Sequence, residues 1–231
     1  LISTYLLLFY THVVGLDPAA CATLFLLARI LDGINDPFVG FVIDHLPTTK
    51  WGHFRPSLIV GTILCSLNFL LLWFGPMMVP AGKLVVAYIS YILIGVLFPV
   101  MDISLNSLLP VMTEDMEERN MLSSLKGFVY TLGSLVLGMA APIILGNTTE
   151  AGGYVKLVLI TTAVILAFSI VGAAGVKERV QVKQEKGQAQ YKLRDLLIIL
   201  TRRPVLATFM CSLSYYIGMM VLNAVNAYFY T

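Results

Sequence analysis

Charged side chains are scarce in this sequence: 12% of its 231 residues are Asp, Glu, Lys or Arg, against 58% hydrophobic. A soluble globular domain carries roughly 25%, so that class is excluded, and a mean hydropathy of +0.85 points to a polytopic membrane protein. Cysteine is scarce too. Cys21, Cys65 and Cys211 all lie in apolar runs, and an odd number so placed argues against a disulfide framework; helix packing accounts for them. The net charge of +2 carries no message about nucleic acid, because the basic residues gather in loops, as membrane topology alone arranges them. Nothing resembles a metal, phosphate or nucleophile site, so neither an enzyme nor a cofactor is expected. The sequence opens inside one apolar run without an initiator Met and stops at Thr231 inside another. It reads as a fragment.

What is abundant is the long apolar run, and there are seven. Segment one is Leu1 to Val14; segment two follows a turn at 15–18 and extends from Ala19 to about Asp44. Segment three spans Pro56 to about Met78, segment four Leu84 to about Met112, and segment five about Met121 to Leu145. Segment six covers Tyr154 to about Val176, and segment seven starts at Pro204. The expected organisation is a six-helix transmembrane bundle over 1–176, a central loop over 177–203, and a seventh transmembrane helix over 204–231. Within the loop, Leu193, Leu196, Leu197 and Leu200 recur at helical spacing, which predicts a short interfacial helix over 191–200.

Loop charge fixes the orientation. The loops after segments two, four and six hold Lys50, Arg55, Arg119 and most of the remaining Lys and Arg, whereas the loops after one, three and five hold only Lys83 and, at a helix start, Lys156. The positive-inside rule places the even-numbered loops, and the N-terminus, in the cytoplasm. Six helices, a basic loop and the opening of a second bundle fit half of a twelve-helix transporter, and the expected location is the bacterial cytoplasmic membrane.

Three charges interrupt segment two. Arg29, Asp32 and Asp36 recur at spacings of three and four residues, which puts them on one helix face. Charge at bilayer depth costs about 2.5 kcal/mol or more, so these residues face a protein interior or a watery cavity. Two readings stand. One is a structural Arg–Asp pair that locks helices together, with Arg29 as charge partner. The other is a cation site, in which two carboxylates one turn apart and the Asn35 amide offer hard oxygen ligands to Na⁺ or H⁺.

The stretch Arg29 to Pro56, R-I-L-D-G-I-N-D-P-F-V-G followed by D-H-L-P-T-T-K-W-G-H-F-R-P, resembles the glycoside–pentoside–hexuronide:cation symporters, the melibiose-carrier branch of the major facilitator superfamily. The likeness continues through Y-T-H-V-V-G-L at 10–16, M-D-I-S-L-N-S-L-L-P at 101–110 and E-R-N-M-L-S-S-L-K at 118–126. The resemblance implies an all-α twelve-helix fold, of which this chain holds the N-terminal six helices and the first of the second bundle. It implies that Asp32 and Asp36, with Asn35 between them, bind the coupling cation. It implies that Asp102 accepts hydrogen bonds from sugar hydroxyls, for which a carboxylate is well suited. The other reading of Asp102 is a buried charge partner for Lys126 or Arg29, a role compatible with sugar binding. Lys126 matches a position where relatives place a sugar-contacting Arg, or else it snorkels to the interface.

Two positions depart from the family pattern. Pro99 stands where the melibiose carrier has a Thr that helps to hold Na⁺, and Asn106 stands where it has a Trp that stacks on sugar. The first removes an oxygen ligand; the second implies a different sugar or pose. The loop after segment two, with Gly40, Asp44, Gly52 and Arg55, resembles the superfamily's cytoplasmic gate: Gly40 for close helix approach, Asp44 to pair with Arg55 or with a helix end of the other bundle. The acidic run 114–118 reads as a solvated loop or a partner for the central basic loop.

The expected function is secondary symport of a glycoside or related sugar with Na⁺ or H⁺, with sugar, coupling cation and membrane lipid as partners. The alternatives are a carrier of another amphiphile such as a lysolipid, a non-transporting sensor on the same fold, or a seven-helix receptor. Intramembrane aspartates speak against the receptor. Trp or Tyr facing the cavity favours sugar, and a continuous apolar groove favours lipid.

Overall fold

The computed structural model describes residues 2–46, 49, 51–146, 151–176, 178 and 201–229. They belong to two units, Leu1–Lys183 and Gln184–Thr231. The first unit holds α1 (Ile2–Leu8), which runs on as a π-helical turn over Phe9–Val13, then α2 (Pro18–Asp44) and α3 (Phe54–Met78). A short 3-10 turn at Pro80–Gly82 leads into α4 (Lys83–Met112), followed by α5 (Met116–Leu145) and α6 (Ala151–Gly175). The described part of the second unit is α7 (Arg203–Phe229), whose Thr208 and Ser214 hydroxyls donate to their own helix at Pro204 O and Met210 O. Of the described helices, α3, α4 with its lead-in, α5 and α6 are long and apolar enough to cross a membrane by length and composition. The expected interfacial helix over 191–200 lies outside the described residues.

Helix starts follow their caps. Asp17 precedes α2, accepts from Ala20 N at 3.2 Å, and is followed by Pro18 at the first helical position. Asp115 does the same for α5, accepting from Glu117 N at 2.9 Å, with Glu117 and Glu118 in the first turn where they suit the helix dipole. Asp115 to Glu118 therefore form the cap and first turn of α5, which begins before Met121, and only Glu114 of the acidic run stays in the loop. Lys83 also has local work: its ammonium donates to Val14 O at 2.8 Å, where the π-helical turn ends.

Prolines free carbonyls. A proline inside a helix has no N–H for the carbonyl four residues earlier. Pro76 so leaves Leu72 O, and the buried Tyr10 hydroxyl takes it at 2.9 Å. Tyr10→Phe strands that buried carbonyl and is expected to destabilise the bundle by about 1–3 kcal/mol, read as a lower melting temperature in detergent.

Two buried clusters sit at opposite ends of the helices. One joins α1, the starts of α2 and α4 and the C-terminal half of α3 to Leu145 and Tyr154; its centre is Phe9, with ring centroids 4.9 Å from Trp73 and 5.0 Å from Tyr154. The other gathers Val39, Ile43, Phe54, Leu58, Leu108, Val111 and Ala173. The α3–α4 pair packs most extensively. At its crossing a Cβ on Gly61 would lie 3.1 Å from Val100 Cγ1 and 3.2 Å from Met101 N, so a larger residue would push the two helices apart by a few tenths of an ångström.

Candidate functional site

Between the two clusters lies a cavity of about 800 Å³. Its walls bring together Arg29, Asp32 and Asp36 from α2, Tyr91 and Asp102 from α4, and Tyr130 from α5. The shared face of the three α2 charges, read from their spacing, is thus the face the bundle turns to this cavity. Asp32 and Asp102 are half-buried, Arg29 and Asp36 exposed.

Asp102 does not stand alone. Asn106, one turn on, donates its Nδ2 to Asp102 Oδ2 at 2.9 Å, and the Lys126 ammonium donates to Asn106 Oδ1. The amide thereby links the carboxylate of α4 to the cation of α5. Asn106, noticed first as a missing aromatic ring, is the bridge that joins the two other candidate sugar-binding residues.

Asn35 is placed differently from its neighbours. It flanks a second, smaller cavity of about 210 Å³, which it shares with Asp32 and Gly95. Its Nδ2 donates to Gly95 O at 3.1 Å. Asp32 borders both cavities. Gly95 is pressed against it: a Cβ at that position would collide with Asp32 Oδ1. Among the described residues no group of three or more His, Cys, Asp or Glu is arranged to hold a metal ion.

The residues of the loop motif meet helix ends. The Arg55 guanidinium donates to Ala173 O at 2.8 Å and Ala174 O at 3.0 Å, in the last turn of α6. In return, the Glu178 carboxylate accepts from the amides of His53, Phe54 and Arg55 at 2.8, 3.0 and 3.0 Å, at the start of α3. Negative charge meets an N-terminus and positive charge a C-terminus, the favourable sense at both. Gly52 has φ +108°, and a Cβ there would collide with the Glu178 carboxylate. Gly40 faces Ile103, whose Cδ1 would lie 3.9 Å from an added Cβ. Asp44 closes α2.

A family model described as MFS/sugar transport protein matches residues 1–231. The chain belongs to this family. It is 34% identical over 235 residues to an isoprimeverose transporter of Lactiplantibacillus pentosus, covering 100% of this chain and 49% of the relative. The inner membrane symporter YicJ of Escherichia coli (strain K12) is 30% identical over 198 residues, 83% of this chain and 42% of that protein. A lactose permease of Lactobacillus helveticus is 24% identical over 251 residues, 99% of this chain and 39% of that protein. The chain thus spans about half the length, or less, of the curated relatives it matches.

Within this family member, sequence reasoning overlooked two residues. Gly95 carried a signal: it lies four residues before Pro99, the spacing at which a proline strips a carbonyl of its helical partner. Glu178 carried none, being one acid in a basic stretch whose target is 123 to 125 residues away.

Proposed function

We propose that this chain forms the half of a secondary symporter that binds both the coupling cation and a glycoside or related sugar. The observation that carries the reading is the convergence of Asp32, Asp36 and Asp102 on one cavity between two packed clusters. A cation, Na⁺ or H⁺, binds at Asp32 and Asp36 with Asn35 alongside and cancels charge there. Sugar hydroxyls then meet Asp102, held by Asn106 and Lys126. Ligand at either place raises affinity at the other by the same factor. The bundle rocks as one body around the midplane site to expose it alternately, while Arg55 and Glu178 tie the start of α3 to the end of α6 on the cytoplasmic side.

Support for sugar over a lipid amphiphile comes from the cavity wall, where Tyr91 and Tyr130 interrupt the apolar surface, and from relatives named for isoprimeverose and lactose.

The test is uptake by the full-length protein in proteoliposomes, with labelled disaccharides and an imposed Na⁺ or pH gradient. Wild type is expected to concentrate one sugar along one gradient, and Asp36→Asn to lose concentrative uptake. Uptake indifferent to both gradients and unchanged in the variant would reduce the aspartates to a structural pair. Transport of a lysolipid with no sugar transported would transfer the site to the amphiphile reading.

A further inference from the structure

Pro99 first enters as a loss, because no side-chain oxygen stands at 99. The backbone around it supplies a compensating gain. Proline at 99, inside α4, cannot donate to Gly95 O. In an apolar setting that free carbonyl requires another donor, and it has one in Asn35 Nδ2 at 3.1 Å. With its nitrogen committed, the Asn35 amide keeps Oδ1 as the atom open to a ligand, since a carboxamide has one donor end and one acceptor end. The same Gly95 lies against Asp32 Oδ1. One residue of α4 therefore fixes the relation between the amide and a carboxylate of α2.

We propose that Pro99 is a positioning residue of the cation site: it withholds an N–H from the Gly95 carbonyl, which then holds Asn35 with Oδ1 open to the cation beside Asp32. This rests on the cation-site reading given above. Pro76 in α3 provides an internal comparison, because it frees Leu72 O in the same way but delivers it to Tyr10, in the cluster away from the charges.

The experiment uses purified full-length protein and two readouts that need no transport. One is thermal stabilisation by Na⁺, titrated at several pH values, which reports cation affinity by linkage. The other is sugar affinity at saturating cation. Pro99→Ala restores an N–H at 99, which reclaims Gly95 O and releases Asn35. The half-saturating cation concentration is expected to rise about tenfold, the equivalent of one hydrogen bond, with sugar affinity unchanged. Asn35→Ala should give the same shift, and adding Pro99→Ala to it should give nothing more. Pro76→Ala should leave cation affinity as in wild type.

A Pro99→Ala shift that adds in full to that of Asn35→Ala would overturn the proposal. So would an equal shift in sugar and cation affinity, a matching shift in Pro76→Ala, or no shift at all. If wild type responds to cation and Asp36→Asn does not, a silent Pro99→Ala sinks this proposal alone. If no cation at any pH stabilises wild type, the reading it rests on falls with it.

Discussion

Exchanging Arg55 and Glu178 for one another is expected to destabilise the bundle more than either single substitution does. An ion pair would survive such an exchange, because its two charges would still meet. Here each side chain binds main chain at a helix end: the Glu178 carboxylate takes three amides that open α3, and the Arg55 guanidinium takes two carbonyls that end α6. Those amides and carbonyls are the groups a helix leaves unpaired at its ends. Exchange would put a cation against N–H donors and an anion against carbonyl acceptors, reversing a favourable dipole interaction at both places. Glu178→Gln or Arg55→Gln alone should cost about 1.5–3 kcal/mol, the range for hydrogen bonds to charged groups. The exchanged pair should cost at least the sum of the two, measured as the unfolding midpoint of the full-length protein in detergent. A swapped protein as stable as wild type would refute the reading. Gly52→Ala should act on the same contact, since its φ of +108° and the Glu178 carboxylate both exclude a Cβ. Adding Glu178→Ala to it should cost less than the same change made in wild type.

The second large effect is expected at Gly95. Gly95→Val pushes two methyl groups into the space held by Asp32 Oδ1. Overpacking at such a contact costs about 1–3 kcal/mol, and the side that gives way is either the carboxylate or the α2–α4 approach. Both outcomes disturb the proposed cation ligands, so gradient-driven uptake should fall at least about tenfold. Gly138 on α5 has nothing within 4 Å of an added Cβ and lies about 100° around the helix from the cavity-lining Leu137, so Gly138→Val serves as the matched control and should retain uptake. Equal loss in both variants would show only that glycine is needed for membrane helices to form.

The sequence was legible where its signals are periodic. Apolar run lengths anticipated the helices, and the three- and four-residue spacings of Arg29, Asp32 and Asp36 anticipated the charged face now seen on the cavity. Legibility failed where the determining partner is distant or is main chain. Asp115 announced a cap by its type, yet the surrounding acids masked it as a loop. Asn106 was read by what its side chain lacks rather than by what an amide joins, because its partner Lys126 is twenty residues on. Glu178 offered no periodicity, and its acceptors' partners are backbone amides that no residue type reveals. Asn35 reaches Asp32 by a route that spacing does not show: it lies about 100° around the helix from Asp36, where its amide meets Gly95, the residue that lies against Asp32.

One proline in α2 and one of the two inside α4 also have a mechanical consequence. Pro37 and Pro99 each omit one rung of helical hydrogen bonding, and the omissions fall on neighbouring helices in the segments that carry Asp36 and Asp102. Packed clusters hold both helices above and below. The two helices therefore resemble beams clamped at both ends and weakest at mid-span. Thermal bending concentrates on that weak section, so a small flexure of the bundle changes the distances among the carboxylates before it disturbs either end.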